Sequence, residues 1–406
     1  MRVPTSLLFD QNIRAIMNNQ QQLADVQESL STGKKINRPS DDPVGAAKVL
    51  RITESLDKLT QYQRNNDLLT NSLEQQEVVL QNVNDAVQRA RVLAIQAGSG
   101  ILASADRKAI ATEIEQIRNE VFDLMNTRNA NGEYIFSGYQ SQSQAYEFNP
   151  SSATPFTYLG DNGTNNVKLS DSVEVRSTVT GAQVFDNALA RFDFEITGTT
   201  GATIEEASIL QQGTFDKFYD NNYDLVTAAN NDFRFTVLAG NQIQLTNQGT
   251  GATVATLGFT SGESFSFQGA TFRFNAGVGD TVDFSLQPPD KKNIAETLND
   301  FVNALKNDAT DADLREAISD VVVGIDNAKE LIGNEISSIG GRRNIATSIY
   351  ETNLDLEIVN KEARSKIEDT DYAEASAEFA KQETALEATL ATFPRISNLS
   401  LFNFIS

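Results

Sequence analysis

The sequence predicts an α+β protein. Long N- and C-terminal helices pair as a coiled-coil-like rod, and an antiparallel β domain is inserted between them. Three observations predict this. Residues 9–140 repeat their apolar positions at steps of three and four, the spacing that gathers side chains on one face of a helix. Residues 290–394 return to that spacing. Between them, 141–289 is rich in Gly, Thr and Asn, and its phenylalanines alternate with polar residues, the two-residue period of a half-buried strand.

The first helix places Phe9, Ile13, Ile16, Leu23 and Leu30 at heptad positions, with Gln20 and Gln27 in two more. Polar residues weaken such a seam, so this helix is expected to be marginal until a partner completes it. Gly33 stands where a helix end needs a left-handed residue. After the turn Ile36-Asn37-Arg38-Pro39-Ser40, Asp42 precedes Pro43: a good N-cap followed by proline at the first helical position. A stripe then runs Val49, Ile52, Leu56, Leu59, Tyr62, Leu69, Leu73, Leu80, Val83, Val87, Ala90, Ala94, with Asn66 and Gln76 as polar members and a one-residue slip near Tyr62. Some fifty residues of helix far exceeds the usual ~11–12, which argues for coiled-coil packing. Gly98-Ser99-Gly100 breaks it, and a third helix follows Ser104 with Ile110, Ile114, Ile117, Val121 and Leu124 on one face.

Past Asn131-Gly132 the period becomes two. Tyr134-Ile135-Phe136 is expected to open the strands, followed by 192–196, 233–237, 265–267, 272–274 and 282–286, separated by Gly-containing turns; Pro288-Pro289 closes the insert. Ile294, Leu298, Phe301 and Leu305 then form a short helix, and Leu314, Ile318, Val321, Ile325, Ala328 and Ile332 begin a longer one. Gly333 and Gly340-Gly341 each cost that helix about 1 kcal/mol against alanine, so only packing keeps it continuous. Tyr372, Phe379, Leu386 and Phe393 recur every seven residues, and Pro394 is expected to end the run. The tail through Leu399, Leu401 and Phe402 to Ile405 is apolar and costly to leave in water.

Composition excludes several classes of function. The 406 residues carry 33 Lys+Arg against 55 Asp+Glu, a net charge of −22, which repels nucleic acid and anionic membranes. The short basic clusters Lys34-Lys35 with Arg38 and Arg342-Arg343 read as solvated helix-end charge. With no Cys and no His, thiolate or imidazole metal sites, Cys nucleophiles, His-based triads and disulfides are excluded. No cleavable secretory signal and no membrane-length apolar stretch is expected. Neither a Walker A sequence nor a dinucleotide fingerprint occurs.

Two motifs carry a family resemblance. Leu30-Ser31-Thr32-Gly33-Lys34-Lys35-Ile36-Asn37 with Ser40-Asp41-Asp42-Pro43-Val44-Gly45-Ala46-Ala47 resembles the N-terminal signature of bacterial flagellins and their relatives. Lys366-Ile367-Glu368-Asp369-Thr370-Asp371-Tyr372-Ala373 resembles the C-terminal one. The opening Met1–Ser6, the prolines of 37–43, the segment 131–138 and the tail 399–402 resemble the family's junction members more than its filament subunits, apart from Val3 and Ser406.

The resemblance implies a structural subunit of the bacterial flagellum, extracellular, and exported unfolded through the flagellar apparatus without a cleaved signal. Implied partners are hook-associated protein 1 below, flagellin above, like subunits in a ring, and an export chaperone before secretion. It implies an inner layer of 1–42 with 366–406, a coiled-coil domain of 43–140 with 290–365, and an outer β domain of 141–289. The assembly interface would be Phe9, Ile13, Ile16, Leu23, Leu30, Tyr372, Phe379, Leu386, Phe393, Leu399, Leu401 and Phe402. The motif turns would be set by Gly33, Ile36, Asn37, Asp41, Asp42, Ile367, Glu368, Asp369 and Asp371. No catalytic, cofactor or metal residue is expected. The acids of these turns read as helix caps rather than acid–base pairs, and Asp161-Asn162-Gly163 as a plain turn rather than a calcium loop. Two other readings stay open: a minor flagellin that polymerises on its own, and a carbohydrate-binding or hydrolytic module in the β insert, for which no carboxylate spacing singles out a pair.

Overall fold

The computed structural model describes residues 5–99, 103–152, 154–307 and 311–405, and among these all side chains except those of 5, 6, 8, 9, 311, 312 and 393–405. Three helices come first: α1 (Thr5–Thr32), α2 (Pro43–Ala97) and α3 (Ser104–Met125). Two hairpins follow, β1 (Tyr146–Phe148) with β2 (Phe156–Tyr158) and β3 (Asn166–Lys168) with β4 (Glu174–Arg176), then the short helix α4 (Gly181–Phe185) and β5 (Ala188–Leu189). The main β domain contains β6 (Phe194–Thr200), β7 (Thr203–Ile209), helix α5 (Gln212–Asn222), β8 (Asp232–Leu238), β9 (Gln242–Asn247), β10 (Thr253–Gly258), β11 (Phe265–Phe267), β12 (Ala270–Asn275) and β13 (Thr281–Leu286). After β14 (Lys291–Lys292), which pairs with β5, come α6 (Ile294–Lys306), α7 (Asp311–Glu368) and α8 (Tyr372–Ile405). The chain is thus α+β, with long helices at both ends and an antiparallel β domain between them.

It packs as two compact units: Met1–Leu68 with Lys168–Glu174 and Ile345–Ser406, and Leu69–Val167 with Val175–Asn344. In the first, Leu56 and Leu59 of α2 are buried and the seam is held by amides. Asn66 Nδ2 donates to the Ala346 carbonyl at 2.7 Å, and Asn353 Nδ2 to the Leu169 carbonyl at 2.9 Å. Both amides are nearly inaccessible, so a hydrogen-bond partner is what makes a polar residue tolerable there.

In the second unit, Leu69, Leu73, Leu80, Val83 and Val87 of α2 are buried, as are Ile114 and Val121 of α3, Leu298 and Phe301 of α6, and Val321, Ile325 and Ile332 of α7. Helix α3 packs along α6. Helix α7 runs unbroken through Gly333, Gly340 and Gly341. Ile332 and Ile339 beside them are fully buried, and that burial, worth about 1.5–3 kcal/mol each, outweighs the glycine penalty. Glu335, also buried, pairs with Arg176 at 3.0 Å and with Arg342, joining β4 to α7.

The β domain has a five-stranded antiparallel sheet, β10-β9-β8-β13-β6, and a three-stranded one, β11-β12-β7. Phenylalanines from both share one core: Phe233, Phe235 and Phe284 from the first, Phe272 and Phe274 from the second, with Phe215, Phe218 and Tyr219 of α5. Phe233 faces Phe284 in register, their rings stacked at 5.3 Å. Alternation is what allows this, since it places every second residue on the inner face.

Five sequence expectations change. Arg342-Arg343, read as solvated helix-end charge, lie within α7, with Arg342 largely buried against Glu335 and Arg343 paired with Glu74 and Glu77. Residues 134–136 form no strand: Tyr134 makes a single antiparallel bridge to Arg128, 135–136 are a turn, and Phe136 is fully buried edge-on against Phe185. The strand expected at 192 starts at Phe194 and runs on to Thr200. Strands β7, β9 and β10 and helix α5 carry few phenylalanines or a mixed pattern and were not foreseen. Finally, α8 passes through Pro394 to Ile405. Proline removes one amide donor and usually kinks a helix, but it does not forbid the turn that follows.

Candidate functional site: the joined turns and the terminal helix pair

Every motif residue lies in the first compact unit, where the two turns meet across more than three hundred residues of sequence. Helix α1 ends at Thr32, and Gly33 adopts φ +72°, the left-handed conformation that closes a helix with little strain only in glycine. The chain then lies beside the end of α7. The Lys35 amide donates to the Glu368 carbonyl at 2.6 Å, and the Thr370 amide donates to the Gly33 carbonyl at 2.9 Å. Lys34 forms an antiparallel bridge with Asp369, and its ammonium pairs with the Glu368 carboxylate.

The remaining acids shape these turns. Asp41 Oδ2 accepts from the Asn37 and Arg38 amides at 3.2 and 2.8 Å. The Arg38 amide bond, more than any other contact, holds the Asp41 carboxyl below its ordinary pKa. Asp42 Oδ1 accepts from the Val44 and Gly45 amides at 3.1 and 2.9 Å and so caps α2, with Pro43 in its first turn. Asp371 Oδ1 does the same for α8 through the amides of Ala373 and Glu374, at 2.8 and 3.3 Å. Carboxylates committed to backbone amides in this way have no acid–base geometry to offer. Among the described residues no group of carboxylates is placed to hold a metal ion, and no helix is long and apolar enough to cross a membrane.

Ile36 packs on Gly45, where a Cβ would come within 2.7 Å of its Cδ1. This contact was not anticipated; a glycine in the first turn of a long helix was the available signal. Ile36 and Ile367 are half-buried. A mainly apolar cleft of about 510 Å³ opens beside the turn, lined by Ile36, Pro39, Pro43, Ala46, Val49 and Leu50 among others.

Above the turns α1 packs along α8. Ile13, Ile16, Leu23 and Leu30 of α1 are half-buried, as are Phe379 and Leu386 of α8; Tyr372 is 59% exposed, with its hydroxyl close to Gly33. Gln20 and Gln27, expected in the seam, face solvent, and Asn19 and Val26 take the inner positions. Asn19 Nδ2 donates to Thr389 Oγ1 at 3.0 Å, so the polar member of the seam is one residue earlier than heptad counting placed it. The side chains of Phe9, Phe393, Leu399, Leu401 and Phe402 lie outside those described. Among those that are described, no residue of α1 or α8 is fully buried. Two helices alone leave the outer half of each apolar stripe in water.

Residues 5–141 match the bacterial flagellin N-terminal helical region. The flagellar hook-associated protein 3 of Escherichia coli is 32% identical over 206 residues, covering 50% of this chain and 62% of that protein. Its counterpart in Salmonella typhimurium is 31% identical over 188 residues, covering 46% and 57%. The matched stretch therefore spans less than two thirds of these relatives. A flagellin of Salmonella enteritidis is 27% identical over 291 residues, covering 68% of this chain and 56% of the flagellin. Among solved structures, hook-associated protein 3 of Legionella pneumophila superposes with a TM-score of 0.59 at 21% identity, covering 79% of this chain and 98% of that one. FlgL of Xanthomonas campestris gives 0.57 at 21%, covering 77% and 99%. At such identities the structures speak for the fold alone. By sequence and fold together, this is a flagellin-like chain, similar to flagellar hook-associated protein 3.

Proposed function

We propose that the chain is a non-catalytic structural subunit of the bacterial flagellum. It would join the hook end to the flagellin filament, with hook-associated protein 1 below, flagellin above and like subunits beside it. The observation that carries this reading is the terminal pair α1–α8, which is ordered by the joined turns yet has no fully buried side chain among those described. An apolar stripe left half in water is stabilised by a further layer of helices, and in an assembly the neighbouring subunits supply it.

On this reading residues 1–42 with 366–406 form the inner assembly layer, 43–140 with 290–365 the coiled-coil layer, and 141–289 the outward domain. Phe9, Phe393, Leu399, Leu401 and Phe402 add to the interface. The subunit acts outside the cell after passing unfolded through the flagellar export apparatus, its terminal segment held beforehand by a chaperone. The absence of cysteine suits such a passage, since no disulfide has to be avoided or broken on the way.

Seeded growth tests the reading. Purified chain is offered to isolated hooks carrying hook-associated protein 1 and to short filament seeds under precipitating salt, and followed by electron microscopy. Capture at hook ends with no long growth is expected. Long filaments of this chain alone would make it a minor flagellin and overturn the junction role.

A further inference from the structure

We propose that neighbouring copies of this chain pair laterally, a basic row on α2 of one copy meeting an acidic row on α7 of the next. The inference rests on the reading of the chain as one of several like subunits side by side. Both rows lie in the first compact unit.

On α2, Val44, Lys48, Arg51, Ser55 and Lys58 follow one another at steps of four, three, four and three, one line along a helix, exposed except at Ser55, which is half-buried and accepts from Asn360 Nδ2 of α7 at 3.2 Å. Lys48, Arg51 and Lys58 are exposed, and none forms an ion pair among the described residues. Glu54 stands three residues from Arg51 and four from Lys58, within helical reach of both, yet pairs with neither. Three unpaired cations in one line are unexpected in a chain of net charge −22. On α7, Glu351, Asp355, Ile358 and Glu362 follow at steps of four, three and four. The three acids are exposed and likewise unpaired, and Ile358 between them is 57% exposed.

The rows match in length as well as sign. At about 1.5 Å per residue, Lys48 to Lys58 spans roughly 15 Å and Glu351 to Glu362 roughly 16 Å. Each also carries an exposed aliphatic side chain, Val44 at 66% and Ile358, that contact would take out of water. Most faces of so acidic a molecule repel a second copy; this pair of faces attracts one. Because the two surfaces differ, the contact is heterologous and repeats from copy to copy, closing into a ring when the rotation allows. Rows of this kind set partner and register more than raw affinity, as charged positions flanking a coiled-coil seam do.

The absence of cysteine makes the test clean. Full-length Arg51→Cys chains are mixed with Asp355→Cys chains, assembled on hooks and oxidised. Covalent dimers are expected from the mixture and from neither variant alone. In parallel, Arg51→Glu with Lys58→Glu should lower incorporation at low salt about tenfold, as should Asp355→Lys with Glu362→Lys. The chain carrying all four changes should recover to within about twofold of the original, and circular dichroism confirms that each variant folds. The defect should shrink as salt shortens the screening length. Hook ends occupied without crosslinks, or no recovery in the fourfold variant, overturns the pairing and leaves the junction role standing. Crosslinks among copies that never occupy hook ends support the pairing and remove the junction role instead.

Discussion

Replacing Gly33 should loosen the terminal helices selectively. Gly33 holds φ +72°, and an alanine there costs about 1–2 kcal/mol in backbone strain. Its Cβ would also sit 3.0 Å from the Tyr372 hydroxyl. Tyr372 is 59% exposed and free to swing aside, so the strain rather than the collision sets the cost. Relaxing φ would sacrifice the Thr370–Gly33 and Lys35–Glu368 backbone hydrogen bonds, at 2.9 and 2.6 Å, each worth roughly 0.5–1.5 kcal/mol. The variant is therefore expected to keep the turn under strain and open it more often. At 1.4 kcal/mol per factor of ten, local opening should rise about 5- to 30-fold. Hydrogen exchange at the Lys35 and Thr370 amides measures it directly, with the amides of β8 and β13 as internal controls. Gly33→Asn should fall between the original and Gly33→Ala, because asparagine tolerates the left-handed region. Exchange at Thr370 within twofold of the original in the alanine variant would refute the claim that this turn holds α1 to α8.

Two further predictions concern the second compact unit. Glu335→Ala leaves Arg342, a largely buried guanidinium, and Arg176 without their shared carboxylate, and should cost about 3–5 kcal/mol in urea unfolding; a loss below about 1 kcal/mol would mean the pair is effectively solvated. Burial, opposed by the hydrogen bond from Asn293, pushes the Asp186 carboxyl above its ordinary value of 3.8. The folded state therefore keeps that proton to higher pH than the unfolded chain does. The resulting stability is fully present below the ordinary value and is lost as pH rises through the raised one. Asp186→Asn should flatten this slope in thermal melts taken across the acid range, and an unchanged slope would assign it to other carboxyls.

Much of the helical structure was legible because its causes are local. The stripe from Leu56 to Ala94 is nearly the buried face of α2, and Asp42-Pro43 and Gly33 mark a start and an end through capping rules that need only neighbouring residues. The strands at 233–237 and 282–286 were visible because phenylalanine alternation and burial coincide there. Strands β9 and β10 carry no phenylalanine; β9 pairs with β8 and β10 with β9, and that pairing rather than an aromatic alternation marks them as strands. Of the site, the residue identities were readable and the contacts were not. Heptad counting put Gln20 and Gln27 inside; the rotation of α1 against α8 put Asn19 and Val26 there.

The sequence by itself determined where α2 begins, which stripe it buries and which two turns carry the flagellin-like signatures, since helical period, caps and motif residues act over a few residues. Only the tertiary structure decided that those turns join, Gly33 to Thr370 and Lys35 to Glu368, and that Asn66 and Asn353 find carbonyl partners inside the packing. It also decided that Pro394 lies within a helix rather than at its end. A backbone amide carries no preference for a carbonyl three hundred residues away; that choice is made when apolar stripes pack and bring the two chain ends together.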